Sequence, residues 1–138
     1  MKIYFAGSIR GGRDDWKLYF EIINLLRGYG EVLTEHIGEE SLSTLGEKDL
    51  DDKAIHDRDI AWLREADVLV AEVTTTSLGV GYEIGKATEW KKPVLCLYRP
   101  AEGRLLSGML RGSRDVRVCE YQTVAELKKV FDEFFGKD

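Results

Sequence analysis

Little in this chain points to an oxidised, metal-bound or membrane-borne protein. Its 138 residues hold two cysteines, Cys96 and Cys119, and two histidines, His36 and His56. Both cysteines fall in short apolar, strand-like runs, where a free thiol behaves as a small buried hydrophobe in a reducing compartment. With no cysteine cluster beside the histidines, no metal site is expected. No apolar run approaches the length of a membrane span, and "MKIYFAG" is too short for a signal peptide, so a cytoplasmic protein is expected. Positive charge is also short: 20 Lys and Arg stand against 25 Asp and Glu, a net charge of -5. Such a surface does not gather phosphates, which argues against nucleic acid or an anionic membrane as partner. A bound anion must be held by local backbone and a few arginines. Repeats and linkers are absent too, and the length suits one domain over residues 1–138.

What is present alternates. "KIYFAG" reads as a strand feeding the glycine-rich loop "GSIRGGR". Trp16, Phe20, Ile23 and Leu26 then recur at helical spacing between Asp14 and Arg27, and "GEVLTEH" is a second short strand. Residues 38–53 are acidic and aperiodic, a solvated loop or a lid. A helix is expected from about Ile55 to Ala66, followed by the continuous apolar strand "DVLVAEV". "KPVLCLYRP" and "VRVCEY" supply two more strands, with "GRLLSGMLRG" an irregular or briefly helical connection between them. Val124, Leu127, Phe131 and Phe134 mark a last amphipathic helix. Strands alternating with helices make βαβ units, and five strands fit an α/β three-layer, flavodoxin- or Rossmann-like sandwich with a parallel sheet ordered 2-1-3-4-5. In such sheets a ligand sits beyond the carboxyl ends of the strands, at the point where the order reverses. The loops there are "GSIRGG" and "TTTSLGVG".

The second of these loops opens the stretch "TTTSLGVGYEIGKA", which sets Glu83 among Gly79, Gly81 and Gly85. Two phosphate fingerprints fail here. "GVGYEIG" is one residue too long for a dinucleotide fold and follows the third strand; the P-loop spacing and its Lys-Ser or Lys-Thr are missing. Machinery for NAD or ATP is therefore not expected, nor is any other cofactor. The stretch still opens a helix, whose first amides are unpaired and could cradle a phosphate against Ser77 and residues 78–81. The alternative is plain capping, with Glu83 complementing the helix dipole, although Val80 stands where a capping box would place Glu.

Asp59 lies inside the apolar arc formed by Ile55, Ile60, Trp62, Leu63 and Ala66. An inward carboxylate is costly unless hydrogen-bonded, and in a cleft it is a candidate acid or base. It could equally be tied to a loop amide or an arginine. His56, at the edge of that face, is read as a structural hydrogen-bonding group. Arg10 and Arg13 flank Gly11-Gly12 and are either ordinary surface charges or a clamp for an anion. Tyr4 is a core residue by default, with a hydroxyl able to reach a site carboxylate. Glu83 and Asp59 converging beside an anion cradle suit cleavage of a glycosidic bond: one carboxylate attacks the anomeric carbon while a second group handles protons.

"YFAGSIRGGR", "VLTEH", "DVLVAEVTTTSLGVGYEIGKA" and "RLLSGMLRG" together resemble the 2′-deoxynucleoside 5′-phosphate N-hydrolases of the nucleoside 2-deoxyribosyltransferase superfamily, from Ile3 to about Tyr121. The resemblance implies hydrolysis of the bond between base and 2-deoxyribose 5-phosphate in a deoxynucleoside monophosphate. It implies Glu83 as nucleophile, forming a covalent deoxyribosyl-enzyme, Asp59 as acid-base partner and Tyr4 as the group holding the nucleophile. Ser77 would bind the 5′-phosphate with Ser107 from the neighbouring subunit of a homodimer. Gly7, Ile9, Arg10, His36, Gly79 and Met109 match further substrate-binding positions. Transferases acting on unphosphorylated nucleosides carry an acidic residue where Ser77 stands, which favours the hydrolase. A deoxyribosyltransferase and a non-catalytic nucleotide sensor are the alternatives. Leu105, Leu106, Met109 and Leu110 are expected at the two-fold interface, or folded back onto their own core.

Overall fold

Apolar runs become strands and amphipathic stretches become helices in strict alternation along this chain. The computed structural model describes residues 1–9, 15–33 and 51–137. Its elements are β1 (Lys2–Ala6), α1 (Trp16–Leu26), β2 (Glu31–Val32), α2 (Asp52–Glu65), β3 (Val68–Glu72), α3 (Leu78–Glu89), β4 (Val94–Tyr98), α4 (Gly108–Arg111), β5 (Val116–Glu120) and α5 (Val124–Phe134). The five strands form one parallel sheet in the order β2-β1-β3-β4-β5, as the sequence pattern requires. The acidic segment read as loop or lid lies, up to residue 50, outside the described residues, as does the "TEH" part of the second strand.

Side-chain alternation along the strands builds two cores. Ile3 and Phe5 of β1 point toward α1 and α5 and pack with Ile22, Leu26, Leu127 and Phe131. Tyr4 and Ala6 point the other way, toward α2 and α3, among Leu63, Val80, Ile84 and Ala87. Strands β3 and β4 are buried at every position, which accounts for their unbroken apolar runs. Cys96 sits within β4 and Cys119 in β5, and both are free. Burial pushes the Cys96 thiol up to about 12, so it packs as a hydrophobe.

Three local expectations are revised. The buried face of α1 is Tyr19, Ile22, Ile23 and Leu26, whereas Phe20 is 38% exposed. Seven apolar residues crowd positions 18–26, so period alone does not select the inward face. Helix α2 starts three residues before Ile55, because the Asp51 side chain accepts a hydrogen bond from the Ala54 amide at 2.7 Å and caps it. In the connection after β4, Leu106 and Leu110 fold back onto the α2/α3 core; Leu105 and Met109 remain 97% and 83% exposed.

Among the described residues no helix is long and apolar enough to cross a membrane, and no cluster of His, Cys, Asp and Glu could hold a metal ion. The strand order reverses between β1 and β3. Their carboxyl ends, with the loops that follow, open the crevice in which ligands of this architecture sit.

Candidate active site

A cavity of about 620 Å³ occupies that crevice. Its floor is Gly7, Ser8 and Ile9 from the loop after β1. One wall is the turn and first residues of α3, Thr76 to Val80, together with Tyr82 and Glu83. The opposite wall is α2, which presents Asp52, Ile55, His56, Asp59 and Ile60. A side chain at Gly7 would begin 3.0 Å from the buried ring of Tyr19, so the floor is closely packed there.

Tyr4 rises from β1 beneath this cavity, its side chain buried, and its hydroxyl donates to Oε2 of Glu83. Glu83 stands in the second turn of α3, and the first turn holds no acidic residue, so it does not complement the helix dipole. Burial pushes the Glu83 carboxyl up to about 7, the negative charge of Asp59 adds to the effect, and the Tyr4 hydrogen bond opposes it. Tyr4 moves well above its ordinary value, first through burial and then through the charges of Glu83 and Asp59. It therefore remains a fixed donor at every working pH, while Glu83 exchanges a proton near neutrality. A buried carboxylate held at one oxygen and titrating near 7 can serve as a nucleophile or a base.

Asp59 is brought to the same cavity from α2. Its Oδ1 accepts from Nε and Nη2 of Arg58, each at 3.0 Å, and the Arg58 guanidinium lies over the Trp62 ring at 5.0 Å. Asp59 therefore lines the cavity while also being tied to an arginine. His56 is exposed at the rim, with Nε2 3.1 Å from the Tyr82 hydroxyl and Nδ1 3.0 Å from Asp57 Oδ1. That agrees with its reading as a hydrogen-bonding group.

Ser77 is the N-cap of α3, and its Oγ accepts the Val80 amide at 3.2 Å. A cap without a box suffices here. The glycines that follow are not demanded by the protein's own packing. A Cβ on Gly79 would meet only Ser77 Oγ at 3.8 Å, and one on Gly81 or Gly85 would meet nothing within 4 Å. Ser77, Leu78, Gly79 and Val80 at the helix start line the cavity, and the opening amides of a helix lack partners within it.

Ser107 and Met109 do not share this cavity. Ser107 caps α4 through a 3.1 Å bond from the Met109 amide, and both residues line a second groove of about 460 Å³ with Leu105. The two depressions meet at the start of α3, where Thr76, Ser77, Leu78, Val80 and Tyr82 line both. Arg10, Arg13 and His36 lie outside the described residues. Sequence reasoning passed over Ser8, Asp52 and Tyr82 as cavity residues. It also read Ile55 and Ile60 as core, since a cavity wall and a core face share the same helical period. The signal for Tyr82 was available in its place beside Glu83 on a glycine-flanked turn.

The family model for nucleoside 2-deoxyribosyltransferase matches residues 3–125. A putative 2′-deoxynucleoside 5′-phosphate N-hydrolase 1 of Trichoplax adhaerens is 60% identical over 136 residues, covering 96% of this chain and 92% of that protein. The 5-hydroxymethyl-dUMP N-hydrolase of Tetraodon nigroviridis is 51% identical over 139 residues, covering 99% and 98%, and the human protein of that name is 48% identical over 140 residues, covering 99% and 80%. Among solved structures, the Clostridium botulinum CMP N-glycosidase BcmB superposes with a TM-score of 0.69 at 17% identity, over 97% of this chain and 99% of that one, and so shares the fold. With a match over most of its length and full-length relatives at half identity or more, the chain belongs to the nucleoside 2-deoxyribosyltransferase family.

Proposed function

We propose that this protein is a cytoplasmic hydrolase of the N-glycosidic bond in 2′-deoxynucleoside 5′-monophosphates, releasing free base and 2-deoxyribose 5-phosphate. The observation that carries the reading is the meeting of Glu83, held by Tyr4, with Asp59 in one cavity beside the amino end of α3. The N-hydrolase names of relatives at 48% to 60% identity support it.

Ionised Glu83 attacks C1′ of the sugar as the bond to the base breaks, and Asp59 donates the proton that the departing base takes up. Tyr4 holds Oε2, leaving Oε1 for the sugar. Water then attacks C1′ of the glutamyl ester, gives its proton to Asp59, and frees Glu83. Ser77 and the amides of Leu78 and Gly79 receive the 5′-phosphate, since hydroxyl and amide donors at a helix start favour an anion. An acidic residue in place of Ser77 would repel it. A 2′-hydroxyl would crowd the attacking oxygen and withdraw electrons from the oxocarbenium-like transition state, so deoxy substrates are preferred.

The test is chromatography of a panel of deoxy- and ribonucleoside monophosphates, including 5-hydroxymethyl-dUMP, for released base. Release from deoxy members with sugar phosphate as co-product supports the reading. Binding without release in every member contradicts it. Adding a second free base identifies a transferase if a new nucleotide forms.

The active unit in this reading is a homodimer, in which Ser107 of one chain reaches the phosphate held by the other. The exposed Leu105 and Met109 beside Ser107 supply an apolar surface for that contact. Mixing Glu83→Ala with Ser107→Asp subunits leaves one intact site in each mixed dimer, so activity should return to roughly a quarter of wild type. No recovery after proven subunit exchange would contradict the shared site.

A further inference from the structure

On the opposite face of the sheet from Glu83, a second carboxylate closes β3. Glu72 is fully buried. A buried carboxylate is tolerated only among donors, and four surround this one. The Thr74 amide donates to Oε1 at 2.7 Å. The Thr74 hydroxyl at 3.0 Å, Arg99 Nε at 3.3 Å and the Tyr121 hydroxyl all donate to Oε2. These donors come from the turn after β3, the end of β4 and the end of β5.

Arg99 carries the network further. Its backbone amide donates to the Thr74 hydroxyl at 3.0 Å, and its Nη2 donates to Asp15 Oδ2 at 3.0 Å. Asp15 stands just before α1, at the far end of the loop that follows β1, and also accepts from the Thr75 hydroxyl at 3.4 Å. One buried carboxylate therefore anchors both loops that form the cavity: the turn that becomes Thr76 and Ser77, and, through Arg99, the return of the β1 loop. An apolar side chain would suit an otherwise apolar strand, so strand packing does not account for Glu72.

We propose that Glu72 is a positioning residue, fixing the Thr74–Ser77 turn and its spacing from the β1 loop so that the phosphate-binding donors are preorganised. This rests on the reading of Ser77 as a phosphate ligand. Glu72→Gln is the informative change, because every partner of Glu72 donates. Glutamine offers one oxygen and one NH₂, so either the Thr74 amide or Arg99 Nε must face a donor, and neither can reverse its role. A turn that must be ordered on binding weakens binding and leaves the chemical step alone.

The experiment combines steady-state kinetics on a deoxynucleoside monophosphate with hydrogen exchange on the ligand-free protein, for Glu72→Gln, Tyr121→Phe and Ser77→Ala. In Glu72→Gln the KM should rise about ten- to a hundred-fold with kcat within about threefold, as expected for loss of a buried charge-assisted bond from a binding element. Amides 74–80 should exchange faster, with those of α5 unchanged. Tyr121→Phe should move both readouts the same way by less, and it decides alone if Glu72→Gln does not fold. Unchanged KM and exchange, or a fall in kcat with KM unmoved, overturns the inference. If Ser77→Ala raises KM and the Glu72 and Tyr121 variants do not, the inference fails and the phosphate reading stands. If Ser77→Ala leaves KM unchanged, the phosphate reading falls and takes the inference with it.

Discussion

Tyr4 and Glu83, 79 residues apart in sequence, meet at the wall of one cavity, where the buried phenol donates to the carboxylate. Tyr4 opposes the burial that raises Glu83, without cancelling it. The carboxyl therefore titrates near neutral pH instead of in the usual carboxylate range. The phenol itself cannot release its proton in this range, so the pair has one titrating member.

The first consequence is a pH profile. With Glu83 as nucleophile, only its ionised form reacts, and its carboxyl titrates at about 7 in the free protein. The ratio kcat/KM reports groups of the free enzyme. Its acid limb should rise about tenfold per unit of pH up to about 7, and a fall at higher pH reports loss of the proton that Asp59 donates. A profile flat from pH 5 to 8 would mean that Glu83 does not titrate as placed here.

Removing the donor should move that limb. The Tyr4 bond favours the ionised form of Glu83. In Tyr4→Phe the burial and the Asp59 charge act unopposed, so the acid limb shifts to higher pH. Activity at pH 6 should fall further than activity at pH 9. An equal loss at both would assign Tyr4 to packing alone.

Stability should change in the opposite sense to activity. The folded-state value of Glu83 is raised from 4.5 to about 7, so the folded protein favours the protonated form. Below pH 4.5 the group is protonated whether folded or not, and it costs nothing. Above about 7 the folded state must hold the charge that burial disfavours. Wild type should therefore lose on the order of 3 kcal/mol relative to Glu83→Gln across that window. Urea melts of both proteins at pH 5 and pH 8 measure it; a difference independent of pH would contradict the assignment.

The sheet order and the position of the crevice were legible because continuous apolar runs and helical periods are strong, local signals. Glu83 stood out by its glycines, and Asp59 by its place on an apolar arc. The partnership of Tyr4 with Glu83 was only an option in sequence, since a tyrosine in a strand packs in a core by default. Glu72 was invisible, because one carboxylate at the end of an apolar strand looks like the edge of that strand. Its meaning depends on Thr74, Arg99 and Tyr121 arriving from three loops, and contacts of that kind leave no periodic trace. The inward face of α1 was misassigned for a related reason: where apolar residues crowd a helix, packing selects the face.

The central claim is that Glu83 forms a bond to the sugar. The most direct measurement is mass spectrometry of enzyme quenched during turnover of a deoxynucleoside monophosphate, with peptide mapping, beside the same experiment on Glu83→Gln. The expected result is a 2-deoxyribose 5-phosphate adduct on the peptide carrying Glu83 in wild type. Glu83→Gln should show no adduct and almost no turnover, while still binding the nucleotide. Absence of any adduct in wild type, together with near-normal base release by Glu83→Gln, would contradict the claim.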